Sequence, residues 1–399
     1  MSSSLASLFY ALLAAAMVCG QEPVTPDRAQ SAARFFQPDP AEEPLACEVH
    51  PLAPAFSYRL AYRAGHSVTV PVGQFAGRES SLGVLVRVTP KRPGAHPLLL
   101  RNTENLPARS GQQERDASKF EAQLQGNFYL GEGHYQAELV LTDSQQRVCR
   151  RRWDLEVKPH KGVAAALPPG RLAALSQLES PHLGTRPGSL TIFLHAGAPR
   201  GNPVLLASLA AILERMPFSR LQVVVFSLDQ RKELLRQNVA DADGFQRVAE
   251  ALNDFNPATV SYRVLQDPAG HRDFLWQLLA RETLRAEPPD AVLFVGYSTL
   301  DDSRVFVPPA CADGSRKTLY AYFDFAQPAT RRYPPPGFGR RRPRGPSGAT
   351  LPQARPLQPD MPDAISRIAR ACSGKVFHIH SPDHLASALR KTAQQLPPR

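Results

Sequence analysis

Charge is missing from the start of this chain. Residues 1–20 hold no Lys, Arg, Asp or Glu, and Leu5 to Val18 is an almost unbroken apolar run. The small residues of Val18-Cys19-Gly20 before Gln21 mark 1–20 as a secretory signal peptide, although the usual positive residues are absent. The run is shorter than the ~20 residues a membrane span needs, and no later apolar stretch could cross a bilayer. Cys19 also raises a lipid anchor, which Met17-Val18 disfavour. CxxC pairs are missing too. Removing Cys19 leaves Cys47, Cys149, Cys311 and Cys372, an even set that favours disulfides over a zinc site in an oxidising compartment. The expected localisation is therefore secreted or periplasmic. Internal repeats are also absent.

The chain has 399 residues, long enough for two domains with their own cores. Its formal net charge is +11. Much of the Arg excess lies in one Pro/Gly-rich stretch, TRRYPPPGFGRRRPRGPSG, which reads as a solvated loop over 327–361. The alternative is a patch for an acidic cell-surface or polysaccharide ligand. A secreted chain has no call for nucleic acid.

Residues 21–45 are polar and broken by proline, and read as a mobile leader. From Cys47 the pattern turns to period two. Phe56, Tyr58, Leu60 and Tyr62 alternate with Ser57, Arg59 and Ala61. Runs at Val68–Val72, Val84–Val88, Phe120–Leu124 and Tyr135–Leu141 repeat the device. Short alternating runs bounded by Gly, Pro and Asn predict a β-sandwich over 46–158. Its last piece is a hairpin turning at Asp143-Ser144, with Cys149 and Trp153 on one face. The module looks immunoglobulin-like or fibronectin-like. Residues 159–188 read as a linker with a short helix near Leu172–Leu178.

From 189 onward strand-like and helical runs alternate. The strands are expected at Leu190–Leu194, Leu221–Leu228, Val260–Leu265, Ala291–Val295, Leu319–Phe325 and Val376–Ile379. The helices are expected at Val204–Met216, Phe245–Phe255, Arg272–Leu284, Asp363–Ala371 and His384–Leu396. Such alternation argues for a doubly wound, mostly parallel α/β sheet over 189–399, so the fold class is multidomain, all-β followed by α/β. Residues 229–240 fit either a helix start or an antiparallel return strand. With two cysteines in each half, intradomain bridges Cys47–Cys149 and Cys311–Cys372 are expected.

The element order of 189–399 resembles a von Willebrand factor A domain. VVVFSLD (Val223–Asp229) resembles that family's second strand, and FQRVAEALNDFNPATVSY its helix and threonine loop, with Thr259 at the threonine. DAVLFVGYST resembles the later strand, and VFHIHSPDHLASALRKTAQQL the closing strand and helix. The resemblance implies a divalent metal at the carboxyl edge of the sheet, held by an Asp-x-Ser-x-Ser motif, a threonine and a later aspartate. Here the motif position reads His195-Ala196-Gly197-Ala198-Pro199, and the later aspartate position is occupied by Gly296 or its neighbours Tyr297 and Ser298. Apart from Thr191 inside the strand, residues 191–200 offer no carboxylate or hydroxyl. Mg²⁺ requires hard oxygen ligands, so His195, Gly197, Pro199, Thr259 and Gly296 mark a degenerate, metal-free site of the kind found in secreted bacterial proteins. Asp301 and Asp302 lie just beyond and could rebuild one.

Two other constellations carry chemistry. His378 and His380 share one face of a strand, as metal ligands can, but Ser381, Pro382 and Asp383 also spell an ordinary strand-to-helix junction. Gly296-Tyr297-Ser298 resembles the start of a nucleophile elbow, with Leu300 where the closing glycine belongs. The expectation is a non-enzymatic scaffold without cofactor that binds a protein or an acidic surface ligand. The alternative is a hydrolase or metal-dependent binder using His195, Ser298 or the His378/His380 pair.

Overall fold

A computed structural model describes residues 21–75, 78–107, 120–160, 165–179, 186–197, 202–216, 218–257, 259, 264, 267, 270–297, 311, 318–325 and 363–396. The chain divides into two compact units, Met1–Glu179 and Ser180–Arg399. It is a multidomain, β-rich protein with three sheets among the described residues.

In the first unit, two antiparallel sheets share one apolar core. One sheet contains β1 (Glu22–Pro23), β4 (Ser80–Pro90), β5 (Leu98–Leu106), β7 (Gly133–Thr142) and β8 (Val148–Val157), in the order β1-β5-β4-β7-β8. The other contains β2 (Glu48–Phe56), β3 (Tyr62–Pro71), β6 (Glu121–Leu130) and β9 (Leu172–Ala174), in the order β2-β3-β6-β9. Alternation explains the pairing. Strand β4 exposes every second residue in part and buries Leu82, Val84, Val86 and Val88 against Val68, Val70, Phe128 and Leu139. The Cys47–Cys149 disulfide joins the start of β2 to β8, with its Cα atoms 6.2 Å apart. Closing a loop of 102 residues contributes up to ~4–5 kcal/mol in the chain-entropy picture.

Two sequence expectations need correction here. Residues 21–45 do not form a separate leader. Glu22 and Pro23 pair with β5, α1 (Pro26–Ala33) follows, and Phe36 and Leu45 are buried. Arg150 anchors the segment by bonding the Glu42 carboxylate and the carbonyls of Phe35 and Gln37. Polar composition concealed these few apolar anchors. Within 159–188 the short helix is present as α2 (Leu175–Glu179), but Leu172–Ala174 before it is a strand hydrogen-bonded to β6 rather than linker. A three-residue strand is too short for alternation to register.

The second unit holds one six-stranded sheet in the order β12-β11-β10-β13-β14-β15. The strands are β10 (Arg186–His195), β11 (Phe218–Ser227), β12 (Lys232–Asn238), β13 (Ala291–Tyr297), β14 (Leu319–Phe325) and β15 (Lys375–Ile379). All neighbours are parallel except β11 and β12. Residues 229–240 thus contain the antiparallel return strand. Counted within this unit the order is 3-2-1-4-5-6, the doubly wound arrangement whose direction reverses between β10 and β13. The helices are α3 (Asn202–Arg215), α4 (Ala242–Asn253), α5 (Gly270–Thr283), α6 (Ala364–Ala371) and α7 (Pro382–Ala393). Helices α5 and α6 pack on Phe193, Val224, Phe294 and Tyr322 of one sheet face. Helix α3 packs with α4, α7 and β13. The strands are apolar on both faces because helices cover both. Cys311 and Cys372 form the second disulfide. The expected strand at Val260–Leu265 lies, but for Val264, outside the described residues, as do 1–20 and the 327–361 loop.

One buried group in the sandwich gives a pH test. His66 on β3 is 2% exposed, and its cross-strand partner is Gly126. A Cβ on Gly126 would stand 2.4 Å from His66 Cε1, so only glycine leaves room for the ring. Burial pushes the imidazole down from 6.5 to about 4. The unfolded chain therefore takes up this proton first as pH falls. The contribution is complete above the ordinary histidine value and is lost between there and about 4. At ~1.4 kcal/mol per unit the loss is about 3–4 kcal/mol. A His66→Gln variant should lack this part of the acid destabilisation in urea melts, and NMR should show His66 titrating near the lower value.

Candidate functional site at the carboxyl edge of the six-stranded sheet

In open α/β sheets the ligand crevice lies outside the carboxyl ends of the strands, where the winding reverses. In this chain that place falls between the ends of β10 and β13, at His195 and Tyr297. His195 is 2% exposed. Its Nδ1 lies 3.2 Å from the carbonyl oxygen of Tyr297. A carbonyl only accepts, so Nδ1 carries the proton and the Nε2 lone pair is bare. Nε2 is buried, and among the described residues it has no hydrogen-bond partner. Burial lowers the basicity of the ring, opposed by the Asp229 carboxylate and the Tyr297 carbonyl and reinforced by His271. The ring also leans on Phe226 of β11, with centroids 5.3 Å apart. His195 is a neutral, desolvated group locked between two strands.

The two glycines make this packing possible. A Cβ on Gly296 would lie 2.6 Å from His195 Cβ. One on Gly197 would lie 2.5 Å from Tyr297 Cδ2. Each glycine is thus required by a neighbouring ring or side chain.

Thr259 lies in the loop after α4. It is exposed, donates from Oγ1 to the Asn256 carbonyl at 2.9 Å and accepts from Gln230 Nε2 at 2.8 Å. Gln230 N in turn donates to Ser227 Oγ at 3.2 Å. The hydroxyl is committed to holding two loops together. Pro199, Ser298, Leu300, Asp301 and Asp302 lie outside the described residues.

The histidine run divides by role. His378 Nδ1 is 2.9 Å from Asp324 Oδ2, its register neighbour on β14. His380 instead faces His384, with ring centroids 5.8 Å apart, and its backbone N–H donates to His384 Nδ1 at 3.4 Å. Ser381 caps α7 by accepting from His384 N, and Pro382 opens the helix. The strand-to-helix junction is formed as its sequence spells it. Among the described residues no three His, Cys, Asp or Glu groups stand together to hold an ion.

A second cluster escaped the sequence reading. Tyr322 lies on β14 within the expected strand, and its Oη reaches Asp324 Oδ1 at 3.3 Å and Asp363 Oδ2 at 3.1 Å. Asp363 caps α6 by accepting from Ser366 N at 2.5 Å. The available signal was a lone aspartate near the end of the apolar strand LYAYFDF.

The chain matches no protein-family model and no curated protein. Among solved structures it is similar to the superoxide reductase (neelaredoxin) of Ignicoccus hospitalis, at 13% identity and a TM-score of 0.21, over 34% of this chain and 94% of that one. The sporulation control protein Spo0M of Bacillus subtilis matches at 15% identity and 0.16, over 29% and 50%. A β-glucuronidase 2 of Bacteroides uniformis matches at 10% and 0.18, over 62% and 33%. Scores this low carry no argument about fold or activity.

The packing at Gly296 supplies a test. Gly296→Ala should drive a methyl into His195 and destabilise the chain by about 1–3 kcal/mol, the usual range for overpacking. Urea unfolding measures it, and a neutral result would show that His195 is not packed as described.

Proposed function

We propose that the chain is a secreted, non-enzymatic interaction protein, with an immunoglobulin- or fibronectin-like sandwich followed by a von Willebrand factor A-like domain that has lost its metal site. The observation that carries this reading is His195. It stands where the family resemblance expects the first carboxylate, and it is a neutral imidazole bonded to the Tyr297 carbonyl. Hard divalent cations take oxygen ligands, usually carboxylates. The described residues do not fit such an ion, because the Thr259 hydroxyl bonds Gln230 and Asn256 and Gly296 has no side chain. No chemical step is therefore derived through a metal.

Further support comes from the doubly wound strand order and from the sandwich. Tyr135, early in β7, donates its buried hydroxyl to the Gly131 carbonyl at 2.8 Å, as corner tyrosines of immunoglobulin-like folds do. Two disulfides suit an oxidising compartment. No described helix is long and apolar enough to cross a membrane. The net charge of +11 favours a protein or polysaccharide partner with acidic groups.

Thermal melts with millimolar Mg²⁺ or Mn²⁺ test the reading. A ligand stabilises only through its binding to the native state, so the midpoint should not move. A saturable rise abolished by Asp301→Ala or Asp302→Ala would show a rebuilt metal site and overturn it.

A further inference from the structure

The cluster at the end of β14 has too few protons for its acceptors. Tyr322 is fully buried, and its phenol has one hydrogen, yet two carboxyl oxygens lie within hydrogen-bond distance of Oη: Asp363 Oδ2 at 3.1 Å and Asp324 Oδ1 at 3.3 Å. With both carboxyls ionised, one of these contacts would set lone pair against lone pair inside the protein. Such a contact costs more where the dielectric is low. A second proton removes the conflict.

We propose that Asp363 holds that proton and shares it with Asp324 through Tyr322, making the joint between β14 and α6 a latch that tightens in acid.

The direction of the chain follows from the surroundings. Asp363 is 3% exposed, and its other oxygen already accepts from Ser366 N at 2.5 Å. Asp324 has the imidazole of His378 2.9 Å from Oδ2 as a partner for its negative charge. Asp363 Oδ2–H thus donates to Tyr322 Oη, Tyr322 donates to Asp324 Oδ1, and Asp324 Oδ2 accepts from His378 Nδ1–H. His378 is half exposed and forms the solvent end of the line.

Among the described residues, the groups acting on Asp363 come from three elements. Tyr322 and Asp324 belong to β14, Ser366 to α6 itself, and His378 to β15 through Asp324. Helix α5 contributes Leu275, Leu278 and Leu279, with the half-buried Phe274 and Trp276 beside them, to the apolar cluster it shares with α6. The shifts agree with this arrangement. Burial, then the Asp324 charge, holds the Asp363 carboxyl above its ordinary value, against the opposing hydrogen bonds from Ser366 and Tyr322. Burial and the two carboxylates hold the Tyr322 phenol well above 10.

The sign follows from linkage. A carboxyl raised in the folded state lets the unfolded chain lose its proton first, so the latch weakens as pH rises from the ordinary aspartate value through the raised one. The released proton goes to solvent, leaving two carboxylates and one phenol hydrogen.

Asp363→Asn is the direct test. The amide oxygen can accept from Ser366 N and the amide nitrogen can donate to Tyr322 Oη, a permanent stand-in for the protonated acid. Asparagine is also as good a helix cap as aspartate. Melting midpoints of wild type and variant should coincide at about pH 4 and separate in the variant's favour toward about pH 8. A difference that does not change with pH would overturn the proposal. Infrared spectra of the wild type give a second readout that needs no variant to fold better. A protonated-carboxyl band should persist above the pH at which ordinary aspartates ionise, and it should disappear in Asp363→Asn. Loss of that band in the wild type at ordinary aspartate pH would also overturn it.

Discussion

The second unit depends on one hydrogen bond, from His195 Nδ1 to the Tyr297 carbonyl. It ties the ends of β10 and β13 together where the sheet changes its direction of winding. Because the carbonyl can only accept, the bond fixes the imidazole tautomer and turns the bare Nε2 into a buried region. A buried acceptor without a partner costs roughly 1–3 kcal/mol, which the packing of the ring on Phe226 and the sheet must offset. The glycines at 197 and 296 follow from this choice, since a methyl at either place would strike the His195–Tyr297 junction. The junction presents an imidazole where hard ions usually take carboxylates. It closes the sheet edge with a neutral ring.

The sandwich meets a different constraint. Its polar N-terminal segment has little apolar surface of its own, so it is held by a few strong anchors. Phe36 is buried with Arg87 above its ring, 4.3 Å from the centroid. Glu138 lies between Arg87 and Arg152, and Arg150 gathers the turn around Glu42. At the far end of the hairpin, Asp143 accepts from the backbone N–H groups of Gln145 and Arg147 and pairs with the Arg147 guanidinium. Apart from the largely exposed Arg152, these charged groups are desolvated enough to fix geometry, whereas exposed pairs elsewhere contribute little. The disulfide then joins the start of β2 to β8.

Periodicity carried most of the fold into view. The runs at Leu190–Leu194, Leu221–Leu228, Ala291–Val295 and Leu319–Phe325 are strands because their residues are apolar on both sides, and Cys149 and Trp153 share a face as the parity of β8 requires. Both disulfide pairs match the sequence expectation. Periodicity could not reveal the contributions of short or polar segments, such as the Leu172–Ala174 strand and the packed residues 22–45. It also could not reveal side chains that meet across the chain. Asp324 and Asp363 are separated by the Pro/Arg-rich stretch, so nothing local in the sequence links them to Tyr322. His195 was singled out for what the loop lacks, but its bond to Tyr297 depends on β10 lying beside β13, a relation that only the strand order supplies.

The central claim is that the carboxyl edge is closed by a neutral histidine whose proton sits on Nδ1. Long-range ¹H–¹⁵N NMR of the His195 ring reads this directly, because a protonated and a bare ring nitrogen resonate far apart. The account predicts a bare Nε2 and a protonated Nδ1 at neutral pH, persisting below the ordinary histidine value. A doubly protonated ring at neutral pH, or a proton found on Nε2, would contradict it.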